Sequence, residues 1–106
     1  MATTAKAPDS KAHSPITPGE ILLTEFLEPL GISQYRLAQA TGLPQTRISQ
    51  IVRGKRAITT DTALRLSKAL GVDDRFWINI QTDYDLEVER DLHADDLAKV
   101  TALVAI

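Results

Sequence analysis

Four glycines divide the chain into short segments. Each of these glycines follows a stretch in which apolar residues recur at helical spacing. They are Gly31, Gly42, Gly54 and Gly71. Apolar residues three or four positions apart lie on one face of a helix, and glycine readily supplies the left-handed residue that ends a helix. Short helices with one apolar face bury it by packing against one another. We therefore predict that this chain of 106 residues contains an all-α bundle of five or six helices.

The starts of these helices carry capping signals. Thr17 is placed to cap the first helix, and Glu20 is placed to return a hydrogen bond to the cap amide, which makes a capping box. Ser33 has the same capping role before the second helix. The other predicted starts are Pro44 or Gln45 for the third helix, Thr59 or Thr60 for the fourth and Asp73 for the fifth.

The composition excludes several classes of site. The chain has no cysteine and therefore no disulfide, zinc-thiolate cluster or thiol nucleophile. His13 and His93 stand in unrelated contexts and the acidic residues are dispersed, so we predict no catalytic residue, metal site, cofactor or small-molecule substrate. No apolar run approaches the roughly 18 residues of a membrane span, and the amino terminus has no apolar signal segment. We expect a cytoplasmic protein with no membrane partner.

Charge is distributed unevenly along the chain. The net charge of −2 does not by itself favour a nucleic-acid partner. Residues 31–60, which we name the basic region, nevertheless hold five basic residues and no acidic one, whereas residues 61–106 hold ten acidic and five basic residues. A polyanion such as DNA responds to a local cluster of cations, so the basic region is the part of the chain that suits such a partner.

The basic region also contains two helical patterns joined at Gly42, which is the pattern of a DNA-binding helix-turn-helix. Gly42 permits the left-handed turn that lets the second helix cross the first. The polar face of that second helix suits the major groove, where Gln45 and Gln50 are expected to pair with adenine. The candidates for reading bases are Gln45, Thr46, Arg47, Ser49 and Gln50. The candidates for contacting phosphates are Gln34, Arg53, Lys55 and Arg56.

The regions on either side of this motif differ in pattern. Residues 1–16 have no periodic apolar residues and predict a flexible arm. We predict that the helix-turn-helix domain spans residues 17–90. Residues 91–106 are predicted to be a C-terminal extension with a short amphipathic helix. Residues 84–89 alternate between apolar and acidic side chains, which fits a short strand as well as the end of a helix. A strand at this place would pair with a second copy of the chain.

Five ordered motifs carry a resemblance to a known family. They are PGEIL, LEPLGIS, IVRGKRAIT, DTALRLSKALG and FWINIQTDYDLE. Residues 33–56 resemble the helix-turn-helix of the phage-repressor and XRE group, and residues 18–87 are similar to the HigA-type antitoxins, also labelled VapI-like. This resemblance implies a lambda-repressor-like bundle. It also implies phosphate contact for Gln34 and base reading for Gln45, Thr46 and Gln50.

The resemblance further implies partners. Proteins of this family are dimeric repressors of their own operon, and many neutralise a RelE-like (HigB-type) toxin that cleaves messenger RNA. A homodimer would place two recognition helices on a palindromic operator. The predicted dimer seam comprises Trp77, Ile80, Tyr84, Leu86 and Val88, although Trp77 also fits the core of one chain. The candidates for docking a basic toxin are Glu20, Glu25 and Glu28. A stand-alone XRE-type repressor with no toxin is the alternative function.

Overall fold

The computed structural model describes residues 15–105, and all regular elements in this range are helices. The first helix, α1, consists of α-helical Pro18–Ile21, π-helical Leu22–Leu27 and α-helical Glu28–Leu30 in direct succession. The other five helices are α2 (Gln34–Thr41), α3 (Gln45–Val52), α4 (Thr60–Leu70), α5 (Phe76–Leu92) and α6 (Ala94–Ala98). The predicted all-α bundle is therefore confirmed, and residues 15–105 form six helices. Most of the arm predicted for residues 1–16 lies outside the described residues.

The capping signals of α1, α2 and α4 act as the sequence predicts. The Glu20 amide donates to Thr17 Oγ1 at 3.1 Å, and the Thr17 amide donates to Glu20 Oε1 at 3.2 Å. Ser33 Oγ accepts from the Arg36 amide at 3.0 Å, and Thr59, rather than Thr60, caps α4. Each bond satisfies an amide that has no acceptor within its own helix. The start of the fifth helix differs, because Asp73 caps a turn and α5 begins only at Phe76.

The π-helical middle of α1 is a feature that the apolar periodicity did not predict. Its end is marked by the Glu28 amide, which donates to the carbonyl of Leu23, five residues earlier. Pro29 follows directly. Proline has no amide hydrogen, and in a regular α-helix its ring would collide with the carbonyl four residues earlier, here that of Glu25. A wider π turn before a proline is a known way for a helix to accommodate this collision and the missing amide hydrogen.

The strand considered for residues 84–89 is wrong, because these residues lie inside α5. Helical hydrogen bonds continue to the end of α5, where the His93 amide donates to the Glu89 carbonyl at 2.9 Å. A helix satisfies its amides and carbonyls within the segment, whereas a lone strand would need a partner. The alternation also does not divide buried from exposed side chains, since Leu86 is exposed while Val88 is half-buried.

Trp77 of α5 forms the centre of an aromatic cluster that joins α1 to α5. Its side chain is fully buried, and its ring centroid lies 5.2 Å from Phe26 and 5.1 Å from Phe76. Aromatic side chains bury more apolar surface than any others, and tilted or edge-to-face pairs add to this burial. The remaining buried apolar residues are Leu22, Leu27, Leu37, Ala38, Leu43, Ile48, Ile51, Ile58, Ala63 and Leu66. The predicted core position of Trp77 is thus the one that the fold adopts.

Gly19 allows α1 to approach the backbone of α3. Gly19 is buried, and a Cβ placed on it would lie 2.6 Å from the Ile51 carbonyl carbon and 2.9 Å from Val52 Cα. Both distances are well below van der Waals contact, and both atoms belong to the backbone. The start of α1 therefore packs against the last turn of α3 at a distance that only glycine permits.

Candidate nucleic-acid interface

The turn between α2 and α3 is held by contacts of its own residues. Gly42 has a φ of 75° and a ψ of 13°, and its amide donates to the Ala38 carbonyl at 2.9 Å. Thr41 Oγ1 donates to the Leu37 carbonyl at 2.8 Å and accepts from the Leu43 amide at 3.3 Å. Leu43 is buried, so the turn is anchored in the core directly before α3 begins. These contacts fix the angle at which α3 leaves α2.

A residue that sequence reasoning missed, Arg65 of α4, supports the same turn. Its Nη1 donates to the Thr41 carbonyl at 2.8 Å, and its Nε donates to Asp61 Oδ2 at 2.9 Å. The guanidinium thus caps the carboxyl end of α2, where carbonyls lack helical partners. A side chain at position 42 would also meet Arg65 Nη1 at 3.2 Å. No local pattern marks this contact, because 24 residues separate the two partners.

α3 is amphipathic, with one apolar face in the core and one polar face toward the surface. Ile48 and Ile51 are fully buried against the core. Among the base-reading candidates, two are exposed and three are half-buried; the exposed ones are Gln45 and Thr46 and the half-buried ones Arg47, Ser49 and Gln50. Among the phosphate candidates, Gln34 at the first position of α2 is half-buried, whereas Arg53, Lys55 and Arg56 after α3 are exposed.

The basic loop, residues 53–59, is attached to both α3 and α5. The Lys55 amide donates to the Gln50 carbonyl at 2.8 Å, and Arg56 Nε donates to Gln50 Oε1 at 2.8 Å. At the other end, the amide of the buried Ile58 donates to Gln81 Oε1 at 2.8 Å. The loop that carries three of the candidate phosphate contacts is therefore fixed at both ends.

Gln81 is the second residue that sequence reasoning missed. It is 7% exposed, and its amide nitrogen donates to Asp85 Oδ1 at 2.9 Å while its oxygen accepts from Ile58. A buried amide side chain needs such partners, because an unsatisfied polar group costs about 1–3 kcal/mol. The sequence contained one signal of this burial, because Gln81 follows Trp77 by four residues and therefore lies on the same, buried face of α5.

The basic side chains on and around α3 have no carboxylate partner among residues 15–105. Within the part of the chain that the structure describes, the ion pairs are Arg65–Asp61 and His93–Glu89, the latter requiring a protonated histidine. None of the cations of the basic region takes part in either pair; they are Arg36, Arg47, Arg53, Lys55 and Arg56. Cations that have no carboxylate partner are available to phosphates. The arrangement therefore offers a polar helix face bordered by cations.

The described residues, 15–105, contain neither a metal-binding cluster nor a membrane-spanning helix. No group of three or more His, Cys, Asp or Glu side chains in this range is arranged to hold a metal ion. None of the helices in the same range is long and apolar enough to cross a membrane.

Comparison with known proteins identifies the family. A helix-turn-helix family model matches residues 23–77. Virulence-associated protein I of Dichelobacter nodosus is 49% identical over 82 residues, which span 76% of each chain. Antitoxin HigA-1 of Vibrio cholerae serotype O1 is 37% identical over 89 residues, or 84% of each chain. The chain belongs to the HigA-type, VapI-like antitoxin family of helix-turn-helix proteins.

The solved structures agree with this HigA-type assignment. Pseudomonas aeruginosa antitoxin HigA, solved with the higBA promoter, matches the fold with a TM-score of 0.80 at 34% identity. The match covers 85% of this chain and 99% of that one. The predicted resemblance and the predicted fold class are both confirmed.

Proposed function

We propose that this HigA-type protein is a sequence-specific DNA-binding repressor that places α3 in the major groove of its operator. The observation that carries the proposal is the face of α3, whose exposed Gln45 and Thr46 lie in a basic region that has no acidic residue. The major groove is about 12 Å wide and admits one α-helix, so side chains on that face reach base edges. The relative from P. aeruginosa was solved with the higBA promoter, which supports DNA binding by this chain.

In this proposal, base reading and backbone contact are divided between α3 and its surroundings. Gln45, Thr46, Arg47, Ser49 and Gln50 face base edges, whereas Gln34, Arg53, Lys55 and Arg56 contact phosphates. Amides and guanidinium groups discriminate bases by their hydrogen-bond patterns, while the phosphate contacts position the helix. The phosphate contacts also release counterions, so affinity falls as salt rises.

We further propose that the chain represses as a homodimer through its C-terminal half. Ile80, Tyr84 and Val88 are half-buried and Leu86 is 45% exposed, so all four present apolar surface. Trp77 is removed from the predicted seam, because a side chain with no exposed surface contacts nothing outside its own chain. Five further apolar residues that follow along the chain are exposed, namely Leu92, Leu97, Val100, Leu103 and Val104. Two copies would present two α3 helices about 34 Å apart to a palindrome.

The double substitution Leu86→Glu with Val88→Glu is expected to convert the dimer into a monomer, because each interface would then bury four extra carboxylates. Sedimentation velocity at micromolar concentration measures the change. Leu64→Glu on α4 is the matched control, since Leu64 is also 45% exposed but lies outside the seam. Sedimentation that is unchanged by the double substitution would place the dimer contact elsewhere.

The proposed second partner is a basic, RelE-like (HigB-type) toxin, bound by α1. Glu25 and Glu28 are exposed, whereas the exposed Glu20 also holds Thr17 in the capping box. A protein that cleaves RNA presents positive charge to its substrate, and carboxylates on α1 complement such a surface. A stand-alone repressor without a toxin remains the second candidate, and binding to the product of the adjoining reading frame separates the two.

The replacement Arg47→Ala is expected to weaken operator binding by about tenfold or more, because it removes a contact worth about 1–3 kcal/mol. Binding of the toxin should be unchanged. Fluorescence anisotropy with the DNA upstream of the gene, and with a scrambled duplex, at two salt concentrations measures the first effect. Arg75→Ala, an exposed arginine outside the basic region, is the control. Equal loss of DNA and toxin binding in a folded variant would contradict the division of surfaces.

A further inference from the structure

Gln50 and Arg56 form a hydrogen-bonded pair between α3 and the basic loop. Arg56 Nε lies 2.8 Å from the side-chain oxygen of Gln50. A guanidinium group has only donors, so the atom that it contacts must be the amide oxygen and not the nitrogen. The Gln50 amide nitrogen therefore lies on the other branch of the side chain and makes no hydrogen bond among the described residues. Both of its N–H donors remain available.

This geometry changes what Gln50 can read. The pairing of glutamine with adenine needs the amide oxygen to accept from N6 while the amide nitrogen donates to N7. In this structure one of the two lone pairs of the Gln50 oxygen already accepts from Arg56, which ties the oxygen to the basic loop, so adenine N6 would have to share it. Guanine, in contrast, presents two acceptors, N7 and O6, in the major groove. Two donors match guanine, whereas adenine would place its own N6 donor against them.

We propose that Arg56 is a specificity-determining positioning residue, which holds Gln50 with its amide nitrogen toward the groove and so makes Gln50 prefer guanine over adenine. The inference rests on the proposed DNA-binding function. It replaces the expectation that Gln50 pairs with adenine. Arg56 retains the donors of its two Nη atoms for a neighbouring phosphate, so one side chain couples backbone contact to base reading.

The fold holds the pair in place before DNA is bound. The Lys55 amide donates to the Gln50 carbonyl, so the residue next to Arg56 is tied to the backbone of Gln50. The Gly54 amide donates to the Ile51 carbonyl at 3.0 Å, and Ile58 is held by Gln81. A side chain that is ordered in advance loses less conformational entropy on binding. The basic loop thus acts as a support for Gln50.

The test compares base preference across a set of duplexes. The parent is the operator-bearing DNA upstream of the gene, and each member of the set changes one base pair. The wild-type chain should prefer guanine over adenine by about fivefold or more at one pair in each half-site, because one base contact would be matched by guanine and mismatched by adenine. Arg56→Met keeps the unbranched chain as far as the position of Nε but removes every donor, so this preference should be lost or reversed. Lys55→Met, the adjacent cation, should weaken binding to all duplexes by a similar factor.

Gln50→Glu provides a second, independent variant. A glutamate keeps two acceptors for Arg56 but has no donor, so the guanine preference should disappear while the pair and the fold persist. Circular dichroism checks the fold of each variant, and the affected base pair should be the same for Gln50→Glu and Arg56→Met. If Arg56→Met weakens every duplex equally and leaves the preference unchanged, Arg56 contacts phosphate alone and the inference is overturned. If the wild-type chain does not distinguish the operator from scrambled DNA, the proposed function fails and the inference fails with it.

Discussion

Replacing Gly19 with alanine is expected to destabilise the fold by about 3 kcal/mol or more, the upper end of the cost of overpacking a core. The added Cβ would overlap with the backbone of Ile51 and Val52 in the last turn of α3. No rotamer change relieves an overlap between a Cβ and a backbone, so α1 and α3 must separate. Separation would expose the core residues that lie between these helices, and urea denaturation followed by circular dichroism measures the loss.

Gly31→Ala is the matched control for this prediction. Gly31 caps the carboxyl end of α1, and a Cβ placed there meets no atom within 4 Å. Its φ of 65° leaves only the strain of a left-handed residue, about 1–2 kcal/mol. Equal losses in the two variants would show that the close approach of α1 to α3 does not determine the role of Gly19.

Replacing Trp77 with alanine is expected to cost about 3–5 kcal/mol, the range for truncating a large buried aromatic residue. The side chain is fully buried and touches the rings of Phe26 and Phe76, so its removal leaves a cavity where α1 meets α5. Thermal and urea denaturation measure the loss of stability. A protein whose free energy of unfolding is about 5–15 kcal/mol would lose a large share of it.

Trp77→Phe provides the comparison. It keeps an aromatic ring against Phe26 and Phe76, and it removes an indole N–H that has no hydrogen-bond partner among the described residues. The cost should therefore be clearly smaller than that of alanine. If both variants were as stable as the wild type, the aromatic cluster would not be a main support of the fold.

The sequence predicted the features that depend on neighbours along the chain. The caps Thr17 and Ser33 act within three residues of their partners, and the apolar period of α3 separates Ile48 and Ile51 from the polar face. The helix-turn-helix and its candidate residues could therefore be placed before the structure was known.

The features that escaped prediction depend on tertiary contacts. Gln81 and Ile58 are 23 residues apart, and Arg65 and Thr41 are 24 apart, so no helical or strand period connects them. The pairing of Gln50 with Arg56 depends on the path of the basic loop, which periodicity does not describe. The alternation of residues 84–89 was ambiguous because a short segment fits both periods.

Residues 17–20, at the start of α1, meet several different structural requirements. Thr17 and Glu20 satisfy amides at the start of α1, Pro18 occupies the first helical position, where its missing amide hydrogen costs nothing, and Gly19 admits the backbone of α3. Thr17, Pro18 and Glu20 stabilise the start of α1. Gly19, in contrast, allows the last turn of α3 to pack against α1. A short local motif therefore contains the residue that sets how closely two helices pack. The residues that Gly19 approaches, Ile51 and Val52, directly precede the loop that we expect to contact DNA.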